Sequence, residues 1–200
     1  MKTRYAVAVF AAVVAPHTLF AQSKSQTAGF QANLHINGSA IKPEDEEREK
    51  GGGLGLALGY GFNRSFMVFV NVDGANMAPA NAAADDYGLG HGDLGVRYSF
   101  ANESRSWIPF IDLAVTARSA VFENVVGDAD ATLSGGGLSA GGGVSYFFSR
   151  AWAIEGSLHW TGGKFTQVKI GSGGYEDLAS DEVKATTARL AVGVSFHPKK

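Results

Sequence analysis

The sequence contains no cysteine, which excludes a disulfide framework, a thiolate metal site and a cysteine nucleophile. Proline is scarce, with 5 residues in 200, so neither a proline-rich linker nor a collagen-like repeat is present. No apolar run is long enough for a membrane helix: the longest, 6–15, covers half of the roughly 20 residues required. A basic tract is missing as well. Lys and Arg number 17 against 19 Asp and Glu, a formal charge of −2, which argues against a nucleic-acid partner held by phosphate neutralisation. Helical periodicity is almost absent after residue 22. Glycine, by contrast, is abundant: 27 copies, about twice average usage.

The N-terminus reads as an export signal. Lys2 and Arg4 precede the apolar run 6–15, and Pro16, His17, Thr18, Leu19, Phe20 and Ala21 follow. This is the basic, apolar and small-residue order of a secretory signal peptide, with cleavage expected after Ala21. The expected organisation is therefore a signal peptide over 1–21 and one barrel domain over 22–200, its strands within about 29–197. Removing 1–21 leaves 15 basic and 19 acidic residues.

The remaining pattern alternates with period two, the mark of strands with two unlike faces. In 51–62, Leu54, Leu56, Leu58, Tyr60 and Phe62 alternate with Gly53, Gly55, Ala57, Gly59 and Gly61. Similar alternation marks 87–100, 107–118, 133–148, 152–161 and 183–197, and less cleanly 29–38 and 66–73. The connectors 63–65, 101–106 and 149–151 are short, whereas 39–50, 74–86, 119–132 and 162–182 are long and polar. Eight strands with short turns at one end and long loops at the other predict an all-β, up-and-down antiparallel barrel.

Two features place the apolar face outward, toward lipid. The opposite face of 51–62 is almost bare glycine, which suits a crowded lumen better than a solvated exterior. Aromatics also gather at the short-turn end: Phe30, Tyr60, Phe62, Phe66, Tyr98, Phe100, Trp107, Tyr146, Phe148, Trp152 and Phe196. Such a girdle favours the boundary between hydrocarbon and headgroups. Trp160 and Tyr87 suggest a thinner belt at the other end.

The passages GYGFNRS at 59–65, GVRYSF at 95–100, Pro109-Phe110 and VGVSF at 192–196 resemble the strand-and-turn pattern of the small eight-stranded outer-membrane barrels, the OmpA-, OmpX- and OmpW-like proteins. The resemblance runs from about Gly29 to His197. It implies residence in the outer membrane with periplasmic termini and extracellular long loops. The implied partners are outer-membrane lipid, lipopolysaccharide and, during biogenesis, the barrel-assembly machinery. Members commonly end in an aromatic residue read by that machinery; here the chain runs on past Phe196 through His197, Pro198, Lys199 and Lys200, and Phe196 is the candidate for that signal. A monomer without cofactor is expected.

The lumen face of the expected strands carries Asp93, Asp112 and Glu155 against Arg97, Arg118 and Arg189. In a narrow, low-dielectric lumen an unpaired charge is costly, so a balanced set predicts ion pairs that fix register and block flow. A gated ion path is the rival. His91 with Asp93, and His159 with Glu155, share faces, but two ligands do not make a metal site. His159 and Thr161 are the nearest approach to the histidine–hydroxyl arrangement of barrel enzymes acting on lipid A, and the parity of His159 turns it toward the lumen. The glycine triplets 51–53, 135–137 and 141–143 lack the Lys-Ser/Thr and helix of a phosphate loop; they are expected to let lumen aromatics such as Phe69 and Phe147 lie on bare backbone. The four long loops together carry −9. That rim reads as a solvated surface or as a site bridged to lipopolysaccharide phosphates by divalent cations.

Overall fold

The computed structural model describes residues 25–44, 46–81, 85–101, 105–126, 129–178 and 182–198, with backbone alone for 124–126. The expected signal peptide, 1–21, lies outside the described residues. Strands β1 (Gly29–Pro43), β2 (Glu49–Gly61), β3 (Phe66–Ala78), β4 (Tyr87–Ser99), β5 (Trp107–Val126), β6 (Ala129–Phe147), β7 (Trp152–Ile170) and β9 (Val183–Phe196) pair in that order, and β8 (Glu176–Asp177) adds two residues beside β7. β1 pairs antiparallel with β9 from Ala32–Phe196 to Pro43–Ala185, which closes an eight-stranded barrel. The short turns form locally. Asn63 Oδ1 accepts the backbone N–H of Ser65 and Phe66 at 2.8 and 2.9 Å, and Ser149 Oγ accepts those of Ala151 and Trp152 at 3.3 and 3.0 Å.

The apolar alternation faces outward. Leu34, Leu54, Leu94, Leu113, Leu138 and Leu190 are each 59–69% exposed, whereas Asp93, Asp112, Glu155 and Arg189 are buried inside. A soluble barrel would reverse this, because contiguous exposed apolar surface of this extent is not tolerated in water. From Leu138 to Phe148 the outward apolar residues climb about 25 Å, at 3.3 Å per residue and a strand tilt near 40°. That matches the apolar height of a transmembrane barrel. Among the described residues no helix is long and apolar enough to cross a membrane.

Much of each expected long loop is strand instead. β1 runs to Pro43, β3 to Ala78, β5 to Val126 and β7 to Ile170, while β2 begins at Glu49 and β6 at Ala129. The cause is an inversion of the apolar phase. Along β1, Leu34 and Ile36 face out, but Ile41 faces in at 3% exposure. Val70 and Val72 of β3 face out, and Ala75 and Met77 face in. The same switch separates Leu94 from Leu89 in β4, Val115 from Ala120 in β5 and Leu190 from Ala185 in β9. Below the switch hydrocarbon surrounds the barrel. Above it water does, and the apolar side chains retreat inside, as in any soluble barrel.

Candidate functional site in the barrel lumen

The lumen is stacked in three layers. At the short-turn end Ile108, Phe147 and Ala153 form an apolar floor, with the His197 ring 4.9 Å from that of Phe147. At the long-loop end Ile41, Met77, Tyr87, Leu89 and Phe165 form an apolar cap with Phe122 and Leu133 packed against it. Between them lies the charged layer, which lines a cavity of about 50 Å³, room for three or four waters.

Two arginines organise the charged layer. Arg97 of β4 stands directly opposite Asp112 of β5 in the ladder. It donates from Nε to Asp112 Oδ1 at 2.8 Å and from Nη2 to Oδ2 at 2.9 Å, while Nη1 reaches both Glu155 oxygens at 3.0 Å. The planar guanidinium fork suits this double engagement, and its carbon lies 3.6 Å from the centroid of the Phe110 ring. Glu155 Oε2 also accepts Ser145 Oγ at 2.9 Å and Gln31 Nε2 at 3.3 Å, and His159 Nε2 lies 3.0 Å from Asp112 Oδ2. Arg189 of β9 is the second centre. Its Nη1 binds Asp73 Oδ2 at 2.7 Å and Asp93 Oδ2 at 2.8 Å, and its Nη2 binds Asp93 Oδ1 at 3.2 Å. Hydroxyls of Thr116, Ser139 and Thr161 form a chain with 2.6 Å steps beneath it.

Asp93, Arg97, Asp112, Glu155 and Arg189 therefore share one layer, but the expected balance of three against three needs revision. Arg118 joins no carboxylate among the described residues. Its Nη1 donates to the Ala185 carbonyl at 3.1 Å and to Thr187 Oγ1 at 3.4 Å, and its guanidinium lies 4.9 Å from the Phe165 ring centroid. It belongs to the apolar cap because β5 passes the phase switch just beyond Thr116. The partner missed in the sequence is Asp73, which ended the less clean expected strand 66–73. Its parity with Phe69 and Asn71 was the available signal. The same-face pairs also regroup: His91 Nδ1 lies 3.5 Å from Asp73, and His159 approaches Asp112 rather than Glu155.

The glycines serve the lumen, partly through the expected triplet 141–143 and partly through glycines outside the triplets. His35 lies on Gly55 and Gly193, its direct partners on the two neighbouring strands; a β-carbon at Gly55 would collide with the imidazole, and one at Gly193 with the Leu34 carbonyl and the His35 β-carbon. Phe69 rests on Gly95 and Phe110 on Gly143, whereas Phe147 packs in the floor with Ile108 and Ala153.

Phe30, Tyr60, Phe62, Phe100, Trp107, Tyr146, Phe148, Trp152 and Phe196 point outward at the short-turn end. Tyr98 sits half-covered between Phe66 and Phe100, 5.0 Å from each ring. Tyr87 does not join a second belt: it is 5% exposed, inside, with its ring stacked 4.7 Å from Phe122. Trp160 does face outward. Thr161 is fully buried in the hydroxyl chain, so neither it nor His159 meets lipid as a barrel enzyme of that type would require.

No protein-family model matches the sequence, and no curated protein does. Solved structures match over nearly their whole length. Neisserial surface protein A aligns with a TM-score of 0.66 at 17% identity, covering 86% of this chain and 98% of that one. The outer membrane protein OprG of Pseudomonas aeruginosa gives 0.60 at 12% identity, over 87% and 99%. Ail, the attachment invasion locus protein of Yersinia pestis, gives 0.53 at 17% identity, over 84% and 99%. With eight strands in a closed antiparallel ring, apolar outside and charged within, the chain has the fold of the small outer-membrane β-barrels.

Proposed function

We propose that this chain is an integral outer-membrane protein that works without catalysis, its lumen closed to flow and its long-loop end presented outside the cell. Its termini stand in the periplasm, and its role is envelope integrity or surface interaction through the acidic long loops. The observation that carries this reading is the crossing of the lumen by two arginine centres. Arg97 ties β4 to β5 and β7, and Arg189 ties β9 to β3 and β4. An ion passing between them would have to break charge-assisted hydrogen bonds in a low-dielectric space, and apolar layers stand above and below.

A small channel is the second reading, and the cavity of about 50 Å³ in the charged layer favours it. Single-channel recording of the refolded mature chain in a planar bilayer separates the two. Silence from folded protein is the expected result. Unitary steps that change with Glu155→Gln would overturn the closed lumen and put the charged layer on a conduction path.

A further inference from the structure

Above the phase switch the outward face of the barrel is not uniform. On β2, β1, β9 and β7, four strands adjacent in the ring, it carries Lys50, Lys42, Lys184 and Lys164, all exposed. These are all the lysines of the strands except Lys169. The other four strands present Asn76 and Ala78, Gly88 and Gly90, Ser119, and Thr132 and Ser134 at corresponding outward positions.

The register gathers these lysines at one level. Lys164 stands directly opposite Lys184. Lys42 pairs with Thr186, two residues from Lys184, and Lys50 pairs with Ala40, two residues from Lys42. Lys50 and Lys164 lie four residues beyond Leu54 and Trp160, the last large apolar residues on their outward faces. Lys42 and Lys184 lie six beyond Ile36 and Leu190. At 3.3 Å per residue and the usual tilt, this is about 10–15 Å above the hydrocarbon edge, within reach of the headgroup layer for side chains that can bend down toward it. Between the lysines and the apolar band the wall is small, Gly38, Ala40, Gly52, Gly162 and Ala188, with Thr186 the one larger residue. A β-carbon at Gly38 or Gly162 would meet nothing.

Like charges directly opposite on neighbouring strands destabilise a sheet. Here Glu182 pairs with Lys164, and Glu44 with Lys184 at 3.2 Å, but these are exposed pairs, and such pairs contribute little. Lys42 and Lys50 extend the positive sector further. We propose that this sector of the wall docks the phosphorylated headgroup of an outer-leaflet glycolipid. The lysines bind its phosphates, the small residues admit its sugar rings close to the backbone, and Leu34, Ile36, Leu56, Leu158, Leu190 and Val192 receive its acyl chains. The sector, rather than the acidic loops, is the lipid contact. The assignment rests on the outer-membrane reading above.

Native mass spectrometry of the folded mature chain, released from nanodiscs with added bisphosphorylated lipid A, tests it. The wild-type chain is expected to retain one or more lipid A molecules, and the quadruple variant Lys42→Gln/Lys50→Gln/Lys164→Gln/Lys184→Gln to lose at least tenfold in apparent affinity. Arg105→Gln/Arg150→Gln, which removes exposed cations at the short-turn end, is expected to bind as wild type. Equal binding by the quadruple variant would overturn the proposal, as would equal binding of enzymatically dephosphorylated lipid A or equal competition by phosphatidylglycerol. Circular dichroism and heat-modifiable migration of the same samples report the barrel itself. A chain that never forms a bilayer-embedded β-barrel would refute the outer-membrane reading and the docking sector with it, whereas a folded chain indifferent to lipid A would refute only the sector.

Discussion

The lower and upper sections of each strand are built for opposite solvents. In the lower section Leu, Val and Ile face out while Arg97, Asp112, Glu155 and Arg189 face in; in the upper section Ile41, Met77, Leu89 and Phe165 face in while Lys42, Lys50 and Asn76 face out. Side-chain parity holds along β1, β3, β4 and β9, so there the exchange is written entirely in the choice of residues; on β7 a bulge between Phe165 and Gln167 also shifts the register. The position of the exchange marks the edge of the hydrocarbon strand by strand. The lower lumen admits charge only because every arginine in it is held by carboxylates, whereas the upper lumen obeys the ordinary hydrophobic effect in contact with water.

The sharpest way to break the lower section is to orphan its acids. Arg97→Ala leaves Asp112 and Glu155 buried without their guanidinium, and we expect it to cost about 3–5 kcal/mol, read as a shift in the urea unfolding midpoint in lipid vesicles. An unchanged midpoint would show that the arginine centres do not hold the barrel. A matched pair on β3 then tests where the solvent changes. Val70→Arg places a charge in the apolar band and is expected to cost about 2–4 kcal/mol. Asn76→Arg, on the same face six residues higher, is expected to stay within about 0.5 kcal/mol. Equal costs would mean that both positions meet the same medium. A third test concerns the cap. Leu89→Ala removes packing beside Met77 and Tyr87 at a cost of about 2 kcal/mol, and amide exchange should quicken in the upper strands while protection around Leu94 and Val96 holds. Loss of protection along the whole of β4 would show that the two sections open as one unit.

The lower section was legible in the sequence because one apolar phase runs through each strand long enough to be seen, from Leu54 to Phe62 or from Trp152 to Trp160. Its short turns were legible through Asn63 and Ser149. The upper section was hidden by the phase switch. A reader following Leu34 and Ile36 meets Gly38, Ala40 and Lys42 on the same face and ends the strand there, although the strand continues with Ile41 on the other face. The candidate site was partly legible for the same reason. Arg97, Asp112, Glu155 and Arg189 lie where the lower pattern is clean. Asp73 and Arg118 lie close to the switch, where parity alone decides which residues meet, and there Asp73 joined Arg189 while Arg118 went to the cap.

The seam between β1 and β9 has a consequence for how such a chain assembles. Every other junction of the ring joins strands that follow one another in the chain, or nearly so, and can zip from a turn. At the seam Asn33 Nδ2 meets Ser195 Oγ at 2.8 Å across 162 residues. Closing a flexible loop of that length costs about 3 kcal/mol more than closing a turn of five residues. The slow step of assembly is therefore the meeting of the chain's two ends, and β1 must wait with an unpaired edge until β9 has been made. Substituting Asn33, whose amide reaches Ser195 across the seam, would change the rate of closure while leaving the backbone ladders of the seven zipped junctions untouched.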